Sequence, residues 1–471
     1  YWQNSYRDYG LKGMAFVDTR NASGQLDANG INNSLNRYTG YERDLLAIEG
    51  PNEYDLTGRA NWAPELRDYM LSLKNAVRAR SSLNGIPILG PSLITPDNFA
   101  TLGNLSDRSD LANAHAYSGH MHPESYWFNL PSNGLFIDSW KNKGAASHPG
   151  QPMWVTETGY NAMSEDAKAK YTPRHYMWYF MRGIQRTMTY EMVSPTDPSD
   201  NWGLLRADLS ETPAYTSLKN TMTILQDNNA IFAPGALQYS VSGDTTNLQQ
   251  CLLQKGNGTY YLVLWQAAIS WNRDTKTDTP APNRNVTLNL STRIGTARTY
   301  LPKSSASATN TYTNPTSISL SIPDHILIVE LSPATSGAPI GKRIALRAKA
   351  NNRIVCADNY GSNPLIANRD SVGPWESFDV FDGGSGTIGL KAVANGKFVA
   401  ADNYGNSPLI AKASSIGSWE KFYWLSNSDG TISLRAAINN KIVCADNYGS
   451  NPLIANRDGI GDWEKFNFST Q

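Results

Sequence analysis

The sequence predicts a multidomain chain: an N-terminal α/β domain built on a parallel sheet, an antiparallel β-sandwich, and a C-terminal β-trefoil. Three observations predict it. Apolar runs alternate with helical patterns over the first 225 residues. From about residue 227 the texture changes to short strands separated by Gly, Asn, Thr and Pro. The last 130 residues hold one motif three times. A chain of 471 residues has room for about three domains at roughly 150 residues each.

In the first part, residues 45–50, 86–91, 111–117, 153–157 and 188–193 read as buried strands. Between the first two, Leu66, Tyr69, Met70, Leu73 and Val77 recur at helical spacing, with Asn61 as the expected cap. A second helix is expected over residues 174–186. Strand and helix alternating in this way imply a parallel sheet covered by helices. In the second part, residues 260–265, 286–290 and 326–331 read as strands of a sandwich. The expected boundaries are 1–225 for the α/β domain, 226–333 for the sandwich, 334–341 for a linker and 342–471 for the trefoil.

The trefoil is the most specific of these expectations. Cys356-Ala357-Asp358-Asn359-Tyr360-Gly361 returns at Ala400 and at Cys444, each 44 residues on. Each copy continues with Pro-Leu-Ile-Ala and then Trp-Glu-x-Phe, at Trp375, Trp419 and Trp463. Three β-rich copies of four strands each make a trefoil. Trp-Glu-x-Phe reads as a core plug, and Asp-Asn-Tyr-Gly as a turn that displays Tyr360, Tyr404 and Tyr448 as candidate ligand contacts. Cys356, Ala400 and Cys444 share one position, which therefore demands a small buried side chain. The three copies resemble the fascin-like trefoils and related carbohydrate-binding trefoil modules. A family that also holds actin bundlers does not by itself define the ligand.

Composition narrows the function. Lys plus Arg, at 41, equals Asp plus Glu, at 41, so the chain lacks the basic excess of a nucleic-acid binder. No apolar run approaches the ~20 residues of a membrane span, so no membrane partner is expected. The three cysteines do not form a disulfide framework. The chain opens with Tyr1-Trp2-Gln3, as a mature or trimmed product would. Twenty-four Tyr and 13 Trp suit stacking on sugar rings, although most such rings fill cores.

Two glutamates carry the candidate chemistry. Ile48-Glu49-Gly50-Pro51-Asn52-Glu53 places Glu53 at the C-terminal end of one strand, and Trp154-Val155-Thr156-Glu157 places Glu157 at the end of a later one. In a parallel barrel those ends form the active face. Hydrolysis of a glycoside with retention needs two such carboxyls about 5–5.5 Å apart. Glu49 reads as a buried ion-pair partner without a chemical role. His120 and His122 lack further ligands at metal spacing, so no metal and no cofactor are expected.

The order Asn-Glu, then His-x-Tyr, then Glu resembles the signature of clan A glycoside hydrolases, with (β/α)₈ TIM barrels, as in families 30, 39 and 79. The resemblance implies that Asn52 binds the sugar 2-hydroxyl, Glu53 is the acid/base and Glu157 the nucleophile. It places His115 and Tyr117 after the sixth strand, with Tyr117 against the nucleophile. Tyr190-Glu191-Met192-Val193 and Asn201-Trp202-Gly203-Leu204-Leu205 resemble the eighth strand and the segment behind it, with Trp202 as a substrate contact. The implied function is a secreted retaining glycoside hydrolase acting on an extracellular polysaccharide or oligosaccharide. The alternative is a non-catalytic carbohydrate-binding or adhesion protein with a degenerate barrel.

The same resemblance makes the barrel N-terminally incomplete in this numbering. Three strand–helix units before Glu53 would need roughly 90 residues. Residues 11–18 then read as the third strand and residues 1–10 as the end of the helix before it. A further N-terminal segment of about 60 residues is expected to complete the barrel, either cleaved but still bound or lying outside this numbering.

Overall fold

The computed structural model describes residues 10–126, 132, 134–194, 201–227, 234–292, 294–333, 337–384, 386–427 and 429–471. The chain divides into two compact units, the first of residues 1–219 and 267–282, the second of residues 220–266 and 283–471. Segment 267–282, expected within the sandwich, thus falls in the first unit.

The first unit alternates strands and helices. Its strands are β1 Gly13–Phe16, β2 Leu45–Glu49, β3 Ile88–Leu89, β4 Ala112–His115, β5 Met153–Thr158 and β6 Ile184–Thr189. They form two parallel three-stranded sheets, β1-β2-β3 and β4-β5-β6, and a parallel bridge from Leu89 to Leu111 joins the sequence of strands. The register sets Phe16 beside Glu49 and His115 beside Glu157. The ends of β4 and β5 therefore lie level, and Asn113 of β4 reaches Glu49 at the end of β2 with a hydrogen bond of 2.7 Å. The expected helix before β1 falls on residues 1–9, outside the described residues, and Gly10 itself is not helical.

The helices are α1 Ile31–Asn36, α2 Trp62–Arg78, α3 Asn98–Leu102, α4 Phe136–Gly144, α5 Glu165–Met181 and α6 Pro213–Leu225. In α2 the five apolar residues named from the sequence form the buried stripe. Asn61 does sit at its N-cap, but its side chain makes no capping bond. The helix expected over 174–186 is instead α5, which starts nine residues earlier. Ser164 caps it by accepting from Ala167 N at 3.0 Å, and Glu165 and Asp166 occupy the positive first turn. Pro173 lies inside it, where a sequence rule ends a helix. Burial of Ala169, Tyr171, Tyr179 and their neighbours outweighs the lost backbone bond. Gly183, at φ +84°, stops the helix and begins β6. The strand expected at 188–193 accordingly lies at 184–189. No helix among the described residues is long and apolar enough to cross a membrane.

The second unit is antiparallel. One sheet has the order β15-β12-β7 and the other β14-β13-β16-β9-β8, from β7 Tyr239–Gly243, β8 Leu248–Gln254, β9 Tyr260–Gln266, β12 Arg284–Leu290, β13 Ile294–Tyr300, β14 Ala308–Thr313, β15 Ser317–Ile322 and β16 Leu327–Pro333. Ile318, Leu320 and Ile322 alternate inward on β15, while β9 is buried along its whole length. The two-residue strands β10 Trp271–Asn272 and β11 Thr277–Asp278 belong to the first unit.

The C-terminal residues form twelve strands in one sheet system, with the first, Arg343–Ala348, paired to the last, Phe466–Thr470. Three-fold symmetry shows in a cyclic set of backbone bonds. Leu365 N donates to Leu409 O, Leu409 N to Leu453 O and Leu453 N to Leu365 O, each at 2.8 Å. Phe378, Phe422 and Phe466 fill the core completely. The Trp of Trp-Glu-x-Phe does not: Trp375, Trp419 and Trp463 are only half-buried. Glu376, Glu420 and Glu464 are buried because each accepts the backbone N–H of Gly373, Gly417 and Gly461 at 2.7–2.9 Å. Cys356, Cys444 and Ala400 occupy the same closed position. Residues 334–336 of the expected linker lie outside the described residues.

Candidate active site

The site grows from the ends of β2, β4 and β5. After Glu49 the chain passes Gly50, where a Cβ would lie 2.4 Å from Met70 Sδ, so any larger residue would push the Met70 side chain of α2 aside. The following turn sets Glu53 in the left-handed region, at φ 42° and ψ 45°. Its backbone is held from the end of β1. Asp18 Oδ2 accepts from Asn52 N at 3.1 Å, and Arg20 Nη2 donates to Asn52 O at 2.9 Å and to Asp18 Oδ2 at 2.7 Å. Ser92 Oγ accepts from Glu53 N at 3.4 Å. Asn52 itself is exposed, its backbone clamped and its side chain toward solvent.

His115, at the end of β4, has a fully buried side chain and joins the carboxylates. Its Nδ1 lies 2.9 Å from Glu53 Oε1 and 3.5 Å from Glu157 Oε2. Its Nε2 lies 3.5 Å from Glu49 Oε1. Burial alone would depress the imidazole, but Glu49, Glu53 and Glu157 outweigh it and raise its pKa to about 9. The three carboxyls thus favour the protonated imidazole. Burial in turn raises the Glu157 carboxyl above the ordinary value, against the lowering by His115 and by the Tyr117 hydroxyl. Tyr117 Oη donates to Glu157 Oε2 at 2.9 Å, and burial beside that carboxylate pushes the phenol far above its usual range.

Aromatic rings flank the carboxylates. Tyr117 meets Trp202 edge to face, with ring centroids 5.2 Å apart, and Trp202 meets Tyr190 in the same way at 6.0 Å. Gly159 permits this approach, since a Cβ there would stand 2.4 Å from Tyr190 O. Behind the site, His175 of α5 lies 3.1 Å from Thr158 Oγ1, and its burial lowers its pKa to about 3. The Glu124–Arg174 ion pair is buried in the same layer, with Arg174 Nε 3.1 Å from Glu124 Oε1.

The structure thus gathers Glu53, Glu157, His115, Tyr117 and Trp202, and leaves Asn52 on the exposed rim. Glu49 is buried against His115, as its reading as a buried ion-pair partner implied, but sequence reasoning missed its partners Asn113 and Thr156. Asn113 Nδ2 donates to Glu49 Oε1 at 2.7 Å, and Thr156 Oγ1 lies 3.1 Å from Glu49 Oε1 and 2.9 Å from Asn113 Oδ1. Their signal was present: an acidic residue inside an apolar strand needs partners. Glu53, His115 and Glu157 place one ligand atom each within 4.8 Å of one another, a donor set that some divalent metals accept. A protonated imidazole offers no lone pair, so the bound proton and a metal compete for this site. His122 Nδ1 instead faces Glu124 Oε2 at 3.4 Å.

In the trefoil, Tyr360, Tyr404 and Tyr448 are 67%, 61% and 66% exposed and stand edge-on to Trp375, Trp419 and Trp463 at 4.8–5.3 Å. Asp358 pairs with Arg369 at 2.5 Å and Asp446 with Arg457 at 2.6 Å beside two of them. The middle copy pairs Asp402 with Lys412 instead.

No family model and no curated protein matches the chain. Among solved structures, the chain is similar to CelM2, a bifunctional glucanase-xylanase from a metagenome library, at 15% identity and a TM-score of 0.44, over 65% of this chain and 68% of that one. It is also similar to ThreeFoil, a designed three-fold symmetric protein, at 20% identity and a TM-score of 0.25, over 27% of this chain and 96% of that one. A Polyporus squamosus lectin is similar at 12% identity and a TM-score of 0.26, over 28% of this chain and 49% of that one.

Proposed function

We propose that the chain is a retaining glycoside hydrolase that cleaves β-glycosidic bonds, with its first unit as part of a (β/α)₈ barrel of the clan A type. One observation carries the proposal: Glu53, from the turn after β2, and Glu157, from β5, face the same buried ring nitrogen, His115 Nδ1, at 2.9 and 3.5 Å. Two carboxylates that share one ring nitrogen suit the close pair of a retaining enzyme better than the wider pair of an inverting one. Six parallel strands in chain order, with helices between them, support the barrel.

In this reading Glu157 Oε attacks the anomeric carbon, forming a carbon–oxygen bond as the glycosidic bond breaks. Glu53 gives its proton to the departing oxygen. Water then enters, Glu53 takes its proton, and the glycosyl–Glu157 ester is released as the sugar. Tyr117 and His115 favour the ionised nucleophile, against the burial that raises its pKa. Trp202 and Tyr190 offer ring faces for sugar. Asn52 on the rim is the proposed contact to the 2-hydroxyl.

The trefoil is proposed to hold the enzyme on its polymer through Tyr360, Tyr404 and Tyr448, raising the local substrate concentration. Their exposure beside Trp and Asp side chains supports this. An extracellular polysaccharide as substrate and secretion as location belong to the same proposal.

The test is hydrolysis of a panel of aryl β-glycosides and neutral β-polysaccharides, with product sizing. Turnover that disappears in Glu157→Gln is expected. A wild-type protein that binds these polymers but cleaves none of the panel would instead make the chain a non-catalytic binding protein.

A further inference from the structure

Glu49 is a buried carboxylate whose position the hydrolytic steps leave unexplained. It ends β2, four residues before Glu53, with no solvent exposure. Its Oε1 takes the Asn113 amide at 2.7 Å and stands 3.1 Å from Thr156 Oγ1. The hydroxyl has one proton for two acceptors, Glu49 and Asn113, so it cannot serve both at once. Glu49 Oε2 is buried without a hydrogen-bond partner. A carboxylate so enclosed is costly unless a charge compensates it. Its ion-pair partner is His115, through Nε2 at 3.5 Å.

His115 therefore lies between carboxylates on opposite sides of its ring. Glu49 of β2 faces Nε2. Glu53, from the turn after β2, and Glu157 of β5 face Nδ1. Tyr117, from its own segment, reaches the group through Glu157. An imidazole has one N–H when neutral and two when protonated. Nε2 is itself buried without a hydrogen-bond partner and meets Glu49 as a charge rather than as a donor, so only the protonated ring is attracted from both sides. Resting on the hydrolase reading, we propose that Glu49 is the positioning residue of the site: it holds the Nε2 side of His115 so that the Nδ1 proton stays on the catalytic carboxylates.

The consequence is specific. Nδ1–H occupies Glu53 Oε1, which leaves Oε2 to carry the proton destined for the leaving oxygen. The same positive charge lies 3.5 Å from Glu157 and favours its ionised form. Glu49 touches neither substrate nor reacting atoms. It acts through a ring whose two nitrogens it and the catalytic pair share.

Glu49→Gln keeps the volume and an oxygen for Asn113 but removes the charge. It should lower kcat by about 10- to 100-fold near pH 8, and by less near pH 6, with KM changed less than about threefold. The basic limb of the kcat/KM profile should move at least one pH unit toward acid. A residue that only supports folding would lower thermal stability and leave the limb in place, which would overturn the proposal. If Glu49→Gln does not fold, ¹⁵N NMR of the wild-type histidine rings decides. His115, assigned by its loss in His115→Asn, should carry protons on both nitrogens at pH 7.5, and a neutral ring there overturns the proposal. A wild type inactive on every glycoside tested would overturn the hydrolase reading instead, a result distinct from an active wild type whose pH profile ignores Glu49.

Discussion

Tyr117 Oη donates a hydrogen bond to Glu157 Oε2 at 2.9 Å, and the same ring braces Trp202 edge to face. One side chain thus ties the proposed nucleophile to the aromatic wall. That bond favours the ionised carboxyl, against the burial that raises it. Tyr117→Phe keeps the ring and removes the bond. The Glu157 pKa should rise further, and because the attacking group must be ionised, the acid limb of kcat/KM should move to higher pH by about one unit. An unmoved limb would separate Tyr117 from the nucleophile.

The two glutamates should fail differently. Glu157→Gln should fold normally and lose at least ~10³ in kcat on every substrate, because no glycosyl ester can form. Glu53→Ala should impair cleavage of polysaccharide far more than cleavage of aryl glycosides with good leaving groups, which need no proton. Equal losses on both substrate types would remove Glu53 as the acid. Paired kinetics on the two substrate types check this.

Stability should depend on pH through His115. Its pKa rises on folding from 6.5 to about 9. The stabilisation is therefore fully present below about pH 6.5 and is lost as pH rises through about 9. His175 and His148 act in the opposite sense, because burial lowers their values to about 3 and about 4. The unfolded chain binds their protons first, so stability falls as pH drops below 6.5. Thermal melts from pH 4 to 10 should show a maximum near pH 6.5, and His115→Gln should flatten the alkaline side alone.

In the trefoil, core and rim should separate. Phe422→Ala should cost about 3–5 kcal/mol, since it empties a fully buried core position. The joint change Tyr360→Ala, Tyr404→Ala and Tyr448→Ala should leave melting and soluble-substrate kinetics unchanged while reducing retention on insoluble polysaccharide. Full retention by that variant in a pull-down would clear the three tyrosines of ligand contact.

The features read directly from sequence were those that local chemistry enforces. A 44-residue repeat must fold three times alike, and the Leu365–Leu409–Leu453 ring of backbone bonds is its consequence. His115 and Glu157 meet because parallel strands in register bring their ends level, and Glu53 joins them from the turn after β2. What escaped depended on partners distant in the chain. Glu49 gains its place from Asn113, His115 and Thr156, between 64 and 107 residues away, and its own neighbours give no hint of them. The helix read over 174–186 begins at Glu165 instead, and α5 runs through Pro173 because its burial overrides a local rule. Trp375, Trp419 and Trp463 were read as core because Trp is apolar, yet Phe378, Phe422 and Phe466 take that volume and leave the indoles beside the exposed tyrosines.

The most direct test of the central claim, a double displacement by Glu157 and Glu53, is the anomer formed first. ¹H NMR during the first minutes of hydrolysis, with whichever β-glycan of the panel is cleaved fastest, reads it before mutarotation. Two displacements at one carbon predict a β-anomer that converts to α only later. An α-anomer appearing first, or no cleavage of any β-glycan, would contradict the assignment of Glu157 as nucleophile.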